Sequence, residues 1–152
     1  MATLNKVRVA ADMFVEAHER YMRGSGDIDY VVSIMLSGAV VGIISPLLKE
    51  QGRHSFHALL ARISKHMAEP GEGTAHEGMF RAVYNGLKHA GDNRRDVAPS
   101  DDLTIVADLK VEAAHMLDAA KHDFGQVEVI SEIRGALPVE FVRLLEAGGS
   151  YA

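Results

Sequence analysis

Arg81, Tyr84, Asn85, Lys88 and His89 fall within nine consecutive residues, an unusual concentration of chemically capable side chains. On an ideal helix with Arg81 at zero, Asn85 lies near ~40°, Lys88 near ~340° and His89 near ~80°. These four then share a polar arc of roughly 100°. Two cations, a carboxamide and a titratable imidazole on one face suit an anionic or nucleotide ligand. In such a site His89 is the general acid or base for a ribose 2′-hydroxyl. Arg81 or Lys88 stabilises charge on the phosphate, and Asn85 orients the imidazole or the phosphate. Arg94 and Arg95, in the following polar connection, add phosphate contacts. The same residues also read structurally, the arc as a solvated helix face and Arg94-Arg95 as an exposed turn neutralised by Asp92 and Asp96.

For this arc to exist, a helix must span roughly 75–89, with Met79, Phe80, Val83 and Leu87 on its apolar side. Asn85-Gly86 is a poor pair inside it, costing about 1.5 kcal/mol relative to two Ala. The cost points to an offsetting hydrogen bond from Asn85 or close packing at Gly86. Other helices are expected over 4–22, ended by Gly24-Ser25-Gly26, with Asp27 as N-cap of the next, and over 55–67. Glu69-Pro70-Gly71-Glu72-Gly73 reads as a loop. Leu103 to Val106 reads as extended, followed by a fifth helix to about Asp123 that Gly125 stops. Val127 to Ile130 alternates like a strand, while Glu132 and Ile133 allow a short helix. Pro138 opens a last helix to about Glu146.

The stretch from Tyr30 to Leu48 has no charged residue. A helix apolar all round is either a membrane span or a core helix wrapped by neighbours. Ser33, Ser37, Gly38, Gly42, Ser45 and Pro46 interrupt it, and no Lys/Arg asymmetry orients it, so a core helix is expected. Gly38-x-x-x-Gly42 permits close backbone approach, either within the chain or across a dimer seam.

Tyr84-Asn85-Gly86-Leu87-Lys88-His89, following a long apolar helix rich in small residues, resembles the signature region of HEPN-type all-α domains. The resemblance covers roughly 27–124. It implies a homodimer in which Arg and His form a metal-independent ribonuclease site. Asn85 and His89 match the polar residue and the His, while Tyr84 stands where active members carry Arg. Arg81, one turn earlier, is then the candidate substitute.

Other constellations are incomplete. Glu112-x-x-His115 is half of a di-metal carboxylate motif without a second half. Asp108, Glu112, His115 and His122 line one side of the fifth helix, which reads as a hydrated face. The functional alternative sets His115 or Glu112 beside His89 across a groove. His122-Asp123 lacks the further Asp of metal phosphohydrolases, and His54-x-x-His57 offers two ligands only. Gly71-Glu72-Gly73 lacks the context of a phosphate loop. With no Cys, disulfides, thiolate metal centres and cysteine nucleophiles are excluded.

The chain has 152 residues, the length of one domain, and enough apolar residues (47%) for a core without staples. Its formal charge of −5 argues against broad adhesion to nucleic acid and leaves room for a local basic patch. The expectation is a single all-α domain over 1–152, an up-and-down bundle of about five HEPN-like helices. It is cytoplasmic, without a membrane span, metal or cofactor. It forms a homodimer and takes RNA or a nucleotide as partner. Two readings stay open: an RNA-binding protein or degenerate ribonuclease, with His89, Arg81 and Asn85 catalytic and Lys88, Tyr84, Arg94 and Arg95 ligand-binding, and a non-enzymatic dimerisation module.

Overall fold

Asn5 starts the first helix by accepting hydrogen bonds from the amides of Val7 and Arg8. This computed structural model describes residues 1–70, 72–90, 97–127 and 132–152. Helix α1 spans Lys6–Arg23 and buries Ala10, Ala11, Phe14 and Ala17 at three- and four-residue steps. Gly24 closes it with φ 49°, the left-handed conformation that glycine adopts without strain.

Helix α2 spans Asp27–Glu50. Asp27 lies one position inside the helix rather than at its cap, which is Gly26. The acid that fastens the turn is Asp29, whose carboxylate accepts from the amide and hydroxyl of Ser25 and from Arg23. Those bonds, Arg23 first, hold the Asp29 carboxyl well below the usual range.

The long apolar helix is central. Helix α2 packs against α1 on one side and α5 (Leu109–Gln126) on the other. By length and composition it is the one described helix able to cross a membrane. Ile34, Val40, Val41, Ile44 and Leu48 are buried in the core. Helix α5 begins at Asp108, whose side chain caps Val111, and it continues through Gly125 to Gln126, past the stop expected there. Its neighbours' packing supports a residue whose intrinsic helix cost is only about 1 kcal/mol.

Helix α3 (Phe56–Met67) is capped by Ser55 and lies against α5. A short helix, α4 (Ala82–Lys88), leans on α2, and α6 (Val139–Glu146) closes the far end on α1 and α5. Phe14, Phe124 and Phe141 meet edge-on there, with ring centroids 4.6–6.5 Å apart. Tyr151 anchors the C-terminal residues: its hydroxyl is 2.8 Å from His18 Nδ1 and its amide donates to Asp118. The domain is an all-α helical bundle with no strand among the described residues. The alternation at 128–130 lies outside the described residues.

Candidate anion-binding cleft

The region expected to be one helix over 75–89 is three pieces. Residues 72–78 are irregular, Met79–Arg81 form a 3₁₀ turn, and only Ala82–Lys88 are α-helical. Gly73 and Gly78 weaken helix at the start, each by about 1 kcal/mol relative to Ala. Arg81 has φ −121° and ψ 16°, outside the helical region. His89 is extended, φ −135° and ψ 142°, and exposed. The four-residue polar arc therefore does not form, because it needs helical phase at both ends.

What forms instead is centred on Tyr84. Its ring is buried and fills the space over Gly38, where an added Cβ would stand 2.2 Å from ring atom Cδ2. Half of the small-residue pair is thus a tight crossing within the chain. Arg81 and Lys88 flank this ring, 5.3 Å and 5.8 Å from its centroid, close enough for cation–π attraction. Gly86 is approached by Ile105, whose Cδ1 would lie 3.2 Å from an added Cβ, so the helix-breaking pair makes room for packing. Asn85 is exposed. Arg94 and Arg95 lie outside the described residues.

Gly42, the other half of the pair, has nothing within 4 Å of an added Cβ. It opens onto a cleft of about 600 Å³ lined by the second half of α2, the start of α3 and the turn before α4. Val41, Gly42, Pro46 and Ala58 provide its apolar wall, and Lys49, Arg53, His54 and Arg81 surround it, with Glu77 as the acid. Arg53 also donates to the Gln126 carbonyl, and Arg62 bonds His54. Pro46 has no amide hydrogen, so the Gly42 carbonyl four residues earlier lacks its helical donor. The cleft thus has a cationic rim and an apolar wall, with Ser45 and Ser55 also in its lining.

Behind the Arg81 wall lies a group of rings absent from the sequence expectations. His57 on α3 and His115 on α5 meet edge-on, with centroids 5.3 Å apart. Phe80 stacks on His57 at 6.3 Å, and Phe56 lies 6.1 Å from both imidazoles. His57 is only 2% exposed. Its Nε2, the Nε2 of His115 and the Nε of Arg81 are buried without a hydrogen-bond partner. Burial first, then the nearby His115 and Arg81, push the His57 imidazole down to about 4. His115 is therefore turned inward rather than lying on a hydrated face, and its imidazole partner is His57, not His89. His54 precedes α3 and is exposed, so it does not share a helical turn with His57. Among the described residues no three His, Asp or Glu side chains gather around a metal position.

One carboxylate ties these parts together. Asp123 is fully buried and accepts from the Ser45 hydroxyl at 2.7 Å and the Phe56 amide at 2.7 Å, with His122 Nδ1 at 3.3 Å. Burial raises its pKa against the lowering effect of those bonds. The sequence signals that were available are modest. An uncharged helix keeping Gly42 and Ser45 at the i, i+3 spacing marks a bare stripe, and His57 follows an apolar Phe at a helix start.

Compared with protein-family models, curated proteins and solved structures, the chain matches none.

Proposed function

We propose that this domain binds a nucleotide phosphate, either a free nucleotide or the end of an RNA strand, in the cleft between α2 and α3. A local reversal of charge carries this reading: a chain of net charge −5 gathers Lys49, Arg53 and Arg81 around one cavity with Glu77 in its lining. A volume near 600 Å³ lies within the usual range for small-molecule sites, roughly 300–1,000 Å³. The apolar wall at Val41, Gly42 and Pro46 suits the face of a base, and the rim suits its phosphate. The HEPN resemblance supports the ligand class. The turn before α4 contributes through Arg81 rather than through an Arg–His pair within one helix.

The test measures binding of adenosine 5′-monophosphate and of a 5′-phosphorylated RNA hexamer. Lys49→Gln and Arg81→Gln should each weaken binding about tenfold or more, since a hydrogen bond to a charged group contributes about 1.5–3 kcal/mol. Gly42→Leu should block the cleft without lowering the melting temperature, because a side chain there meets no protein atom at Cβ. His89→Ala should bind as wild type. Preference for the hexamer identifies RNA as the source of the phosphate, and equal binding identifies the nucleotide. Wild-type affinity in all cleft variants, or no binding of either probe, refutes the reading.

A second reading, an interaction module, is favoured by exposed apolar side chains at Ile63 and Met67 on α3 and at Met79. Its readout is oligomeric state: a dimer dispersed by Ile63→Lys with unchanged nucleotide binding separates the two roles.

A further inference from the structure

We infer that His57, His115 and Arg81 form the seat for the anionic group itself, a tetrahedral oxyanion such as a phosphate monoester, and that filling it draws a proton onto His57. The inference rests on the nucleotide-phosphate reading above and assigns residues and proton linkage to it.

Three buried nitrogens without partners, on residues that touch or act on one another, are a costly arrangement, because a buried polar group left unpaired is destabilising. Buried polar groups are paired in the great majority of cases, so a concentration of exceptions marks a place where something is accepted from outside. Arg81 Nε–H is a permanent donor, and an imidazole Nε2 donates whenever it carries the proton. With both Nε2 atoms carrying protons the arrangement is three donors without an acceptor. A cation is opposed by the guanidinium. A tetrahedral oxyanion supplies several acceptor oxygens and no competing positive charge. Phe56 and Phe80 border the imidazoles and keep the local dielectric low, which strengthens such bonds. Arg81 belongs to both places: it lines the cleft, its Nε is buried, and its charge acts on His57.

The proton linkage follows from what surrounds His57. Arg81 approaches from the 3₁₀ turn. From α5 comes His115, with Glu112 a turn before it and His122 and Asp123 two turns beyond. His54 stands exposed before α3. Asp123 is engaged by Ser45, Phe56 and His122. Apart from burial, the influences holding His57 near 4 come from His115 and Arg81, and a bound anion cancels positive charge there. The bound-state pKa thus lies above the free one, and binding tightens as pH falls through that interval.

Sulfate is the deciding probe, because it does not titrate between about pH 5 and 8, so any proton taken up belongs to the protein. Calorimetry in buffers of different ionisation enthalpy should show proton uptake on sulfate binding. Affinity should rise several-fold per pH unit on acidification, with a limit of about tenfold for one proton. The imidazole NMR signals of His57 should move to their protonated positions with bound sulfate. His57→Phe should abolish the linkage, and the wild-type NMR titration decides the matter if that variant does not fold. Sulfate binding that responds to Lys49→Gln but takes up no proton and leaves the His57 imidazole unmoved overturns the seat and leaves the cleft standing. Nucleotide binding that sulfate does not compete with overturns it equally. Failure of sulfate, nucleotide and RNA alike removes both readings.

Discussion

Tyr84 occupies a notch that exists because residue 38 has no side chain. The residue is 6% exposed, and three of its ring atoms lie 2.2–2.6 Å from where a Cβ on Gly38 would stand. An Arg at position 84, the residue that active HEPN domains would imply, has to bury a guanidinium against the apolar flank of α2. We expect Tyr84→Arg to lose about 3 kcal/mol or more of stability, measured by urea denaturation, since unpaired buried charge is among the most destabilising changes. Tyr84→Phe, keeping the ring, should stay within about 1.5 kcal/mol of wild type, as a near-isosteric change does. Installing an Arg at this position is thus a test of packing before it is a test of catalysis.

Three helices are joined through Asp123, which holds Ser45 of α2 and the first amide of α3 from its place on α5. Asp123→Ala leaves the amide and the hydroxyl without their acceptor and should cost about 1–3 kcal/mol for each left unsatisfied. Asp123→Asn keeps an acceptor oxygen and removes a charge whose burial is unfavourable, so it should be much closer to wild type. The sign in pH follows. The folded pKa is raised, so the native state binds the extra proton between the unfolded and folded values, and this contribution to stability falls as pH rises through that window. Thermal melts of Asp123→Asn across the acid range should lack that component.

At this same scale the sequence was readable where one rule dominated. Ser55 and Gly24 mark helix ends through local hydrogen bonding or backbone freedom, and the apolar Tyr30–Leu48 run announces a central helix. It was unreadable where two rules competed. Periodicity continued back to residue 75 in the sequence, but Gly73 and Gly78 and the seating of Tyr84 confine the α-helix to seven residues. His115 shares its sequence side with charged residues, yet it faces inward because His57 and Phe56 of α3 pack there, a long-range fact that no spacing records.

For the molecule as a whole, acid stability is set by groups that oppose one another. His57 is held neutral, with a folded pKa near 4 against an unfolded value of 6.5. Between these limits the unfolded chain binds more protons, so stability falls as pH drops from about 6.5 to 4. Asp29 acts in the same direction at lower pH: its depressed pKa contributes stability above the unfolded value that is lost as its carboxylate protonates. Asp123 works against both. The melting temperature should therefore decline on acidification through this range, and His57→Phe should flatten the upper part of the decline. A melting curve of that variant as steep in pH as wild type's would contradict the assignment to His57.

The bare flank at Gly42 makes the mouth of the cleft a tunable aperture. Its Cβ direction points into open space while the opposite face of α2 is committed to the core, so bulk can be added there without renegotiating the frame. A graded series from Ala through Ser to Val at this one position offers an engineer a dial for ligand width, set apart from the architecture that keeps the chain folded.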